Sequence, residues 1–313
     1  MAALRLSATS HIATHSLKTL FGEKTVWLFI LLFTVLVVLS AYLGWSANTT
    51  VDAIYTDAKQ YLLKAGNPVP PNPVMDSSPL SMLRNLSVYF GLIGVLVAIV
   101  MGYQLIAEDR KSGVLPLIAT RLTSRREYAC AKVGVFSGVL ALLTLISLLV
   151  CGLVFVCLPS ISLSGSQLRQ LFEFHFFAYA YMATFGLFAM GCTAFAKKQS
   201  IALLTPISLW LIITFILPSL MANVNPTAAI NPISTLVPVP DSAFFTIVHG
   251  YLAPIALAQN FDAISAQLLE YGPILSPLPV IQWGSLICAF TLSALFAVEA
   301  IGRMRMEKGA FNE

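Results

Sequence analysis

Charge is what this chain lacks. Only 10% of its 313 residues are Asp, Glu, Lys or Arg, against about 25% in an ordinary soluble domain. Hydrophobic residues make up 58%, which excludes a conventional water-soluble fold and points to an all-α polytopic membrane protein. The length suits six or so spans with their loops and leaves no room for a soluble domain of usual size. Motifs for catalysis are missing as well. There is no GxxxxGK(S/T) phosphate loop, no GxSxG nucleophile turn and no HExxH zinc helix. His11 and His15 have the i, i+4 spacing of two zinc ligands, but His11-Ile12-Ala13-Thr14-His15 has no acid to act as base. The five cysteines show neither CxxC nor a Cys/His zinc pattern, and Cys151 and Cys157 face different sides of a helix. Packing thiols are therefore expected, with no metal and no catalytic centre in the chain.

The charge that is present is concentrated. The stretch AEDRKSGVLPLIATRLTSRREYACAK, Ala107 to Lys132, carries Arg110, Lys111, Arg121, Arg125, Arg126 and Lys132 between two apolar runs. Dense positive loops resist translocation, so this segment is expected on the cytoplasmic side. Lys111-Ser112-Gly113 reads as a break after Glu108 and Asp109. A short surface helix is expected over the weakly apolar residues 114–119, and Thr123-Ser124 as the N-cap of the next span.

In chain order, residues 1–25 read as an amphipathic helix on the cytoplasmic face. A first span over 26–45 follows, with Trp27 and Trp45 as interface anchors. It is too long for a signal peptide and is expected to remain as an anchor. Residues 46–85 form an outer loop, helical from Val51 to Lys64 and then held extended by NPVPPNPV. Further spans are expected at 86–106, where Gly91, Gly94 and Gly102 invite close packing, and at 133–158, 171–195, 201–221 and 280–301. Pro206 and Pro218 predict a kink in the fifth. Residues 223–279 read as short outer or re-entrant helices, and 302–313 as a cytoplasmic tail. Glu173 and His175 lie near the outer end of the fourth span, where interface placement competes with a polar contact on a transport path. Glu299 is expected to pair with Arg303.

Fourteen of the 18 Lys and Arg fall in the segments assigned inside, and only Lys59, Lys64, Arg84 and Arg169 outside. That asymmetry predicts six spans with both termini cytoplasmic.

The basic segment resembles that of the ABC-2 type permeases, the membrane subunits of a group of ATP-binding cassette exporters. The resemblance rests on Glu108, Asp109, Arg110, Gly113, Leu115, Leu117, Ser124, Arg125 and Lys132. Leu122 stands where Pro is usual, and Pro116 where an acid is usual. A second stretch, Ala253-Pro254 to Asn260-Phe261, is similar to a Ser-Pro…His-Phe segment of that family. The likeness is greatest to the branch of nitrous-oxide reductase maturation and gliding motility. It implies a bacterial inner-membrane permease working with a second permease subunit, identical or paralogous. It also implies a separate ABC ATPase subunit, which holds the ATP and magnesium. Glu108, Asp109, Arg110, Gly113, Leu115, Leu117, Arg121, Arg125 and Arg126 would then form the ATPase-coupling segment, seated on the partner as a helix from Glu108 to Ala119.

Leu163-Ser164-Gly165-Ser166-Gln167 looks like the LSGGQ peptide of such ATPases, but without a phosphate loop it has no such chemistry. The other partners expected are membrane lipid and a periplasmic protein, with no nucleic acid. The rival to an exporter is a non-transporting scaffold that relays ATPase movement to the periplasmic protein through 46–85 and 223–279. The substrate is not legible.

Overall fold

The computed structural model describes residues 2–22, 24–72, 78–113, 115–116, 124–157, 163–218, 247, 250–272 and 280–304, without the side chains of 2–11 and 25. Leu117, Arg121, Leu122 and most of the 223–279 segment, and the side chain of His11, lie outside them. Every described element is helical, and six helices are long and apolar enough to cross a membrane. The protein is an all-α, multi-pass membrane protein.

Helix α1 (Ala2–Gly22) leads into α2 (Lys24–Lys64). The corner between them is fixed by Trp27, whose indole N–H donates to the Phe21 carbonyl at 2.8 Å while its ring lies 5.6 Å from that of Phe21. Helix α2 does not stop at Trp45. No proline or glycine interrupts it beyond that point, and Thr49 and Thr50 turn their hydroxyls back onto the Trp45 and Ser46 carbonyls. Its 41 residues reach about 60 Å, twice the ~30 Å hydrocarbon core. The expected loop from residue 46 is therefore, as far as Lys64, a helical projection. Gly66 ends it at φ 73°, where Asn67 N–H bonds the Leu62 carbonyl.

The second span runs from Pro79 to Lys111. It comprises a 3-10 turn capped by Ser78, α3 (Arg84–Tyr89), a π turn (Phe90–Gly94) and α4 (Val95–Lys111). The remaining spans are α5 (Arg125–Cys157), α6 (Gly165–Phe195), α7 (Gln199–Leu211) and α9 (Val280–Arg303). Helix α7 contains Pro206 and widens into a π turn at Ile212–Ile216. Helix α8 (Leu257–Leu268) precedes the last span.

Two spans form the centre. In the second and fourth, 67% and 72% of the most apolar stretch is buried inside the bundle, whereas the first, fifth and sixth bury 28% or less. Those two central helices touch through glycine. A Cβ on Gly102 would overlap the Gly186 carbonyl oxygen, and one on Gly186 would overlap the Phe136 ring. Gly91, by contrast, has no neighbour within 4 Å of where its Cβ would be. It serves through its carbonyl, which accepts from the Trp210 indole at 3.4 Å. The peripheral helices turn Leu31, Leu149, Leu204 and Leu295 outward, as side chains facing lipid tails do.

Candidate functional site

The site lies where the second, third and fourth spans end together, at the basic end of the bundle. Helix α4 continues through Glu108, Asp109 and Arg110 to Lys111, so these residues complete the second span. They belong to the second span rather than to a separate helix, and of the rest of the expected Glu108-to-Ala119 helix, Val114 and residues 117–119 lie outside the described residues. The break falls at Ser112 and at Gly113, which has φ 65°, a left-handed conformation that glycine adopts without steric cost.

Asp109 points inward. Its carboxylate lies 2.7 Å from Lys132 Nζ of α5, and each side chain is only 2% exposed. Tyr128, one turn before Lys132, donates its hydroxyl to the same Oδ2 at 2.6 Å. Lys132 also donates to the Leu105 carbonyl at 3.0 Å and lies 5.6 Å from the Tyr128 ring centroid. An ion pair taken out of water survives only when geometry and extra hydrogen bonds offset desolvation. Here both charges have such bonds.

Arg110 turns the other way, donating from Nη1 to the Thr193 and Ala196 carbonyls at 2.6 and 2.7 Å. Those are carbonyls at the C-terminus of α6, and a guanidinium satisfies both the orphan acceptors and the negative end of the helix dipole. Together Asp109 and Arg110 tie three spans into one block. A cavity of about 10 Å³ beside Lys132, lined by Ser16 of α1 and by Gln104 and Glu108 of α4, brings the N-terminal helix against the same block.

Below the block the surface is basic. Ser124 caps α5, accepting from the Arg126 and Glu127 amides, and Arg125 and Arg126 are exposed in the first turn. Two cations there oppose the helix dipole, at roughly 0.3–1 kcal/mol each, so fold stability alone does not account for them. Leu115 is fully buried and Pro116 exposed.

A family model described as ABC-2 family transporter protein matches residues 11–283. The chain belongs to that family. It is the membrane component of an ABC transporter, and the family's role is transport across the membrane rather than catalysis. A comparison with individually curated proteins gives no match.

Other residues singled out in the ABC-2 transporter's sequence are placed differently. Glu173 is half exposed and pairs with Arg169 at 3.4 Å. His175 is buried rather than at an interface. Its Nδ1 lies 2.8 Å from the Leu171 carbonyl and its Nε2 3.2 Å from Ser147 Oγ. A carbonyl only accepts, so Nδ1 carries the proton and Nε2 is available to accept from Ser147. The fold does not bring Glu173 and His175 together.

The LSGGQ look-alike is a capping box, with Ser164 and Gln167 bonding each other's backbone amides. Asn260, in the second family-like stretch, donates to the Ala253 carbonyl and to Ser285 Oγ, both at 2.8 Å. This joins α8 to the last span. Glu299 and Arg303 do pair on α9. All five cysteines are free, but only Cys151 is buried; Cys130, Cys157 and Cys288 are exposed, so the packing role expected of them is confined to part of the set. Sequence reasoning missed Tyr128 and gave Lys132 no role beyond its charge. The signal was the i, i+4 series Tyr128, Lys132, Phe136, a lysine inside an apolar helix face that demanded a counter-ion.

Proposed function

We propose that this chain is the permease half of an ATP-driven exporter in a bacterial inner membrane, with both termini cytoplasmic. It pairs with a second permease subunit and takes its energy from a separate ABC ATPase, where ATP and magnesium reside. The branch resembled in the basic segment, that of nitrous-oxide reductase maturation and gliding motility, is the reading adopted within the family. The observation that carries the proposal is the junction of an exposed basic turn, Arg125 and Arg126, to the buried Asp109–Lys132–Tyr128 contact. A partner gripping the 112–126 segment would move α4 and α5 together, because the ion pair keeps their ends from separating. Arg110 would pass the movement to α6. On this reading Asp109 and Arg110 are positioning residues, and Arg125, Arg126 and the 112–124 link meet the ATPase.

The test is Arg125→Glu with Arg126→Glu in the complex. Insertion and assembly of the six spans should be unchanged, while substrate-stimulated ATP turnover should fall to the basal rate. Full stimulation in the double variant would refute this assignment.

The relay reading has one observation in its favour. Beyond the length of a membrane span, α2 carries exposed Val51, Ile54 and Tyr61. It is braced by the returning proline-rich segment, through Tyr55 to the Pro70 carbonyl and Asn72 to Asp52. Such a projection is a contact surface for a periplasmic protein. ATP-dependent binding of that protein by reconstituted vesicles, with no flux of any cargo, would favour the relay.

A further inference from the structure

Helices α1 and α5 enclose an apolar groove of about 850 Å³ that opens outward near the basic end of the bundle. Leu17 and Phe21 line it from α1, and Cys130, Gly134, Gly138 and Leu142 from α5. The four α5 residues follow one another at i, i+4 and so form one face, about 18 Å long. That is comparable with the length of a fatty-acyl chain.

Gly134 and Gly138 lack an internal explanation. A glycine inside a helix is destabilising, and it is usually retained where another part of the chain comes close. At Gly102 and Gly186 that is the case; at Gly134 and Gly138 no atom lies within 4 Å of where a Cβ would be, among the described residues. Among the described residues nothing fills the space they leave, which is open to an external occupant.

The same i, i+4 series continues backward to Arg126, which is exposed one turn below Cys130. The groove face thus starts on a cation and runs into apolar depth. Arg125 lies on a different face, above Tyr128 and Ala129, which are buried. A second copy packed symmetrically on this face would set Arg126 against its own counterpart, and like charges repel.

We propose that the groove is a binding site for an anionic phospholipid. One acyl chain lies along Gly134 and Gly138, and the phosphate sits at Arg126. The site shares Arg126 with the proposed ATPase contact, but its test uses this chain and lipid alone and stands whether or not that contact exists. The site binds lipid as a ligand, and its effect is to hold α1 against α5.

The test uses the full chain, purified in detergent and examined by native mass spectrometry with phosphatidylglycerol or phosphatidylcholine of the same acyl chains. Wild type should retain phosphatidylglycerol about five-fold better, the ratio expected from one cation beside an anionic headgroup. Gly134→Leu with Gly138→Leu should abolish retention of both lipids, and Arg126→Gln should abolish only the preference. Equal retention of the two lipids by wild type, or undiminished retention by the leucine variant, would overturn the proposal.

A second readout needs no substitution. Alkylation of Cys130 by a maleimide, followed peptide by peptide, should slow several-fold when phosphatidylglycerol is added and less when the same amount of phosphatidylcholine is. An unchanged rate would overturn the site, and so would efficient Cys130–Cys130 cross-linking between two copies in vesicles, which would make the groove a subunit interface instead.

Discussion

Asp109 and Lys132 meet at 2.7 Å in the interior of the bundle, one at the end of the second span and the other near the start of the third. The segment between them is where the chain carries its densest positive charge. The ion pair ties the end of α4 to the start of α5, so that the two spans end as one unit.

Asp109→Asn should be strongly destabilising, because it leaves the Lys132 ammonium buried without a counter-charge. The expected loss is about 3–5 kcal/mol, and replacing both partners together by apolar residues should restore much of it. Thermal unfolding in detergent of Asp109→Asn beside Asp109→Leu/Lys132→Met measures this. A single variant as stable as wild type would mean the pair contributes nothing.

Gly102→Val should push α4 away from Gly186 and cost roughly 1–3 kcal/mol or more, as overpacking does in a close-packed interior. Gly134→Ala should be tolerated or mildly stabilising, because its Cβ enters open space. Both are read from melting temperatures, and the contrast between them is the result that counts. Equal effects would contradict the packing described.

His175→Asn should lower stability and leave the pH profile of ATP turnover by the assembled complex unaltered, since the ring is engaged by Leu171 and Ser147. A changed profile would make His175 a proton-handling residue.

At the far end of the bundle Tyr271 meets Ser87 Oγ at 3.1 Å and donates to Asp262 at 3.2 Å. Burial is the main cause raising its phenol from the ordinary 10.0 to about 12. A raised pKa favours the protonated form in the folded state. Its contribution is therefore complete below pH 10 and lost as pH rises through about 12. Tyr271→Phe should cost about 1 kcal/mol, by the same amount at pH 6 and pH 9. A strong difference between those two values would show that the phenol ionises lower.

Much of the architecture was legible because membrane spans announce themselves by long apolar runs, and all six are helices. Their ends were not, since polarity and helix termination are separate matters. Ser46 to Thr50 look like a loop but stay helical, since no Pro or Gly breaks the chain there and the Thr49 and Thr50 hydroxyls are satisfied by carbonyls of the helix itself. Glu108 to Arg110 look like a surface patch, yet α4 carries them inward, and which face a charge occupies depends on a partner distant in sequence. The exposed charge of Arg125 and Arg126 was legible in the sequence; the ion pair behind them was not. The face of Tyr128, Lys132 and Phe136 called for a counter-ion, but nothing in it singled out Asp109.

The central claim is that this chain is driven by an ATPase it does not contain. The most direct measurement is purification of the tagged chain from its own membranes in mild detergent, with identification of what accompanies it and assay of ATP hydrolysis. The account predicts a phosphate-loop ATPase in stoichiometric amount and hydrolysis that the permease stimulates. An intact, folded chain that repeatedly comes away without such a subunit and without ATP turnover would contradict it.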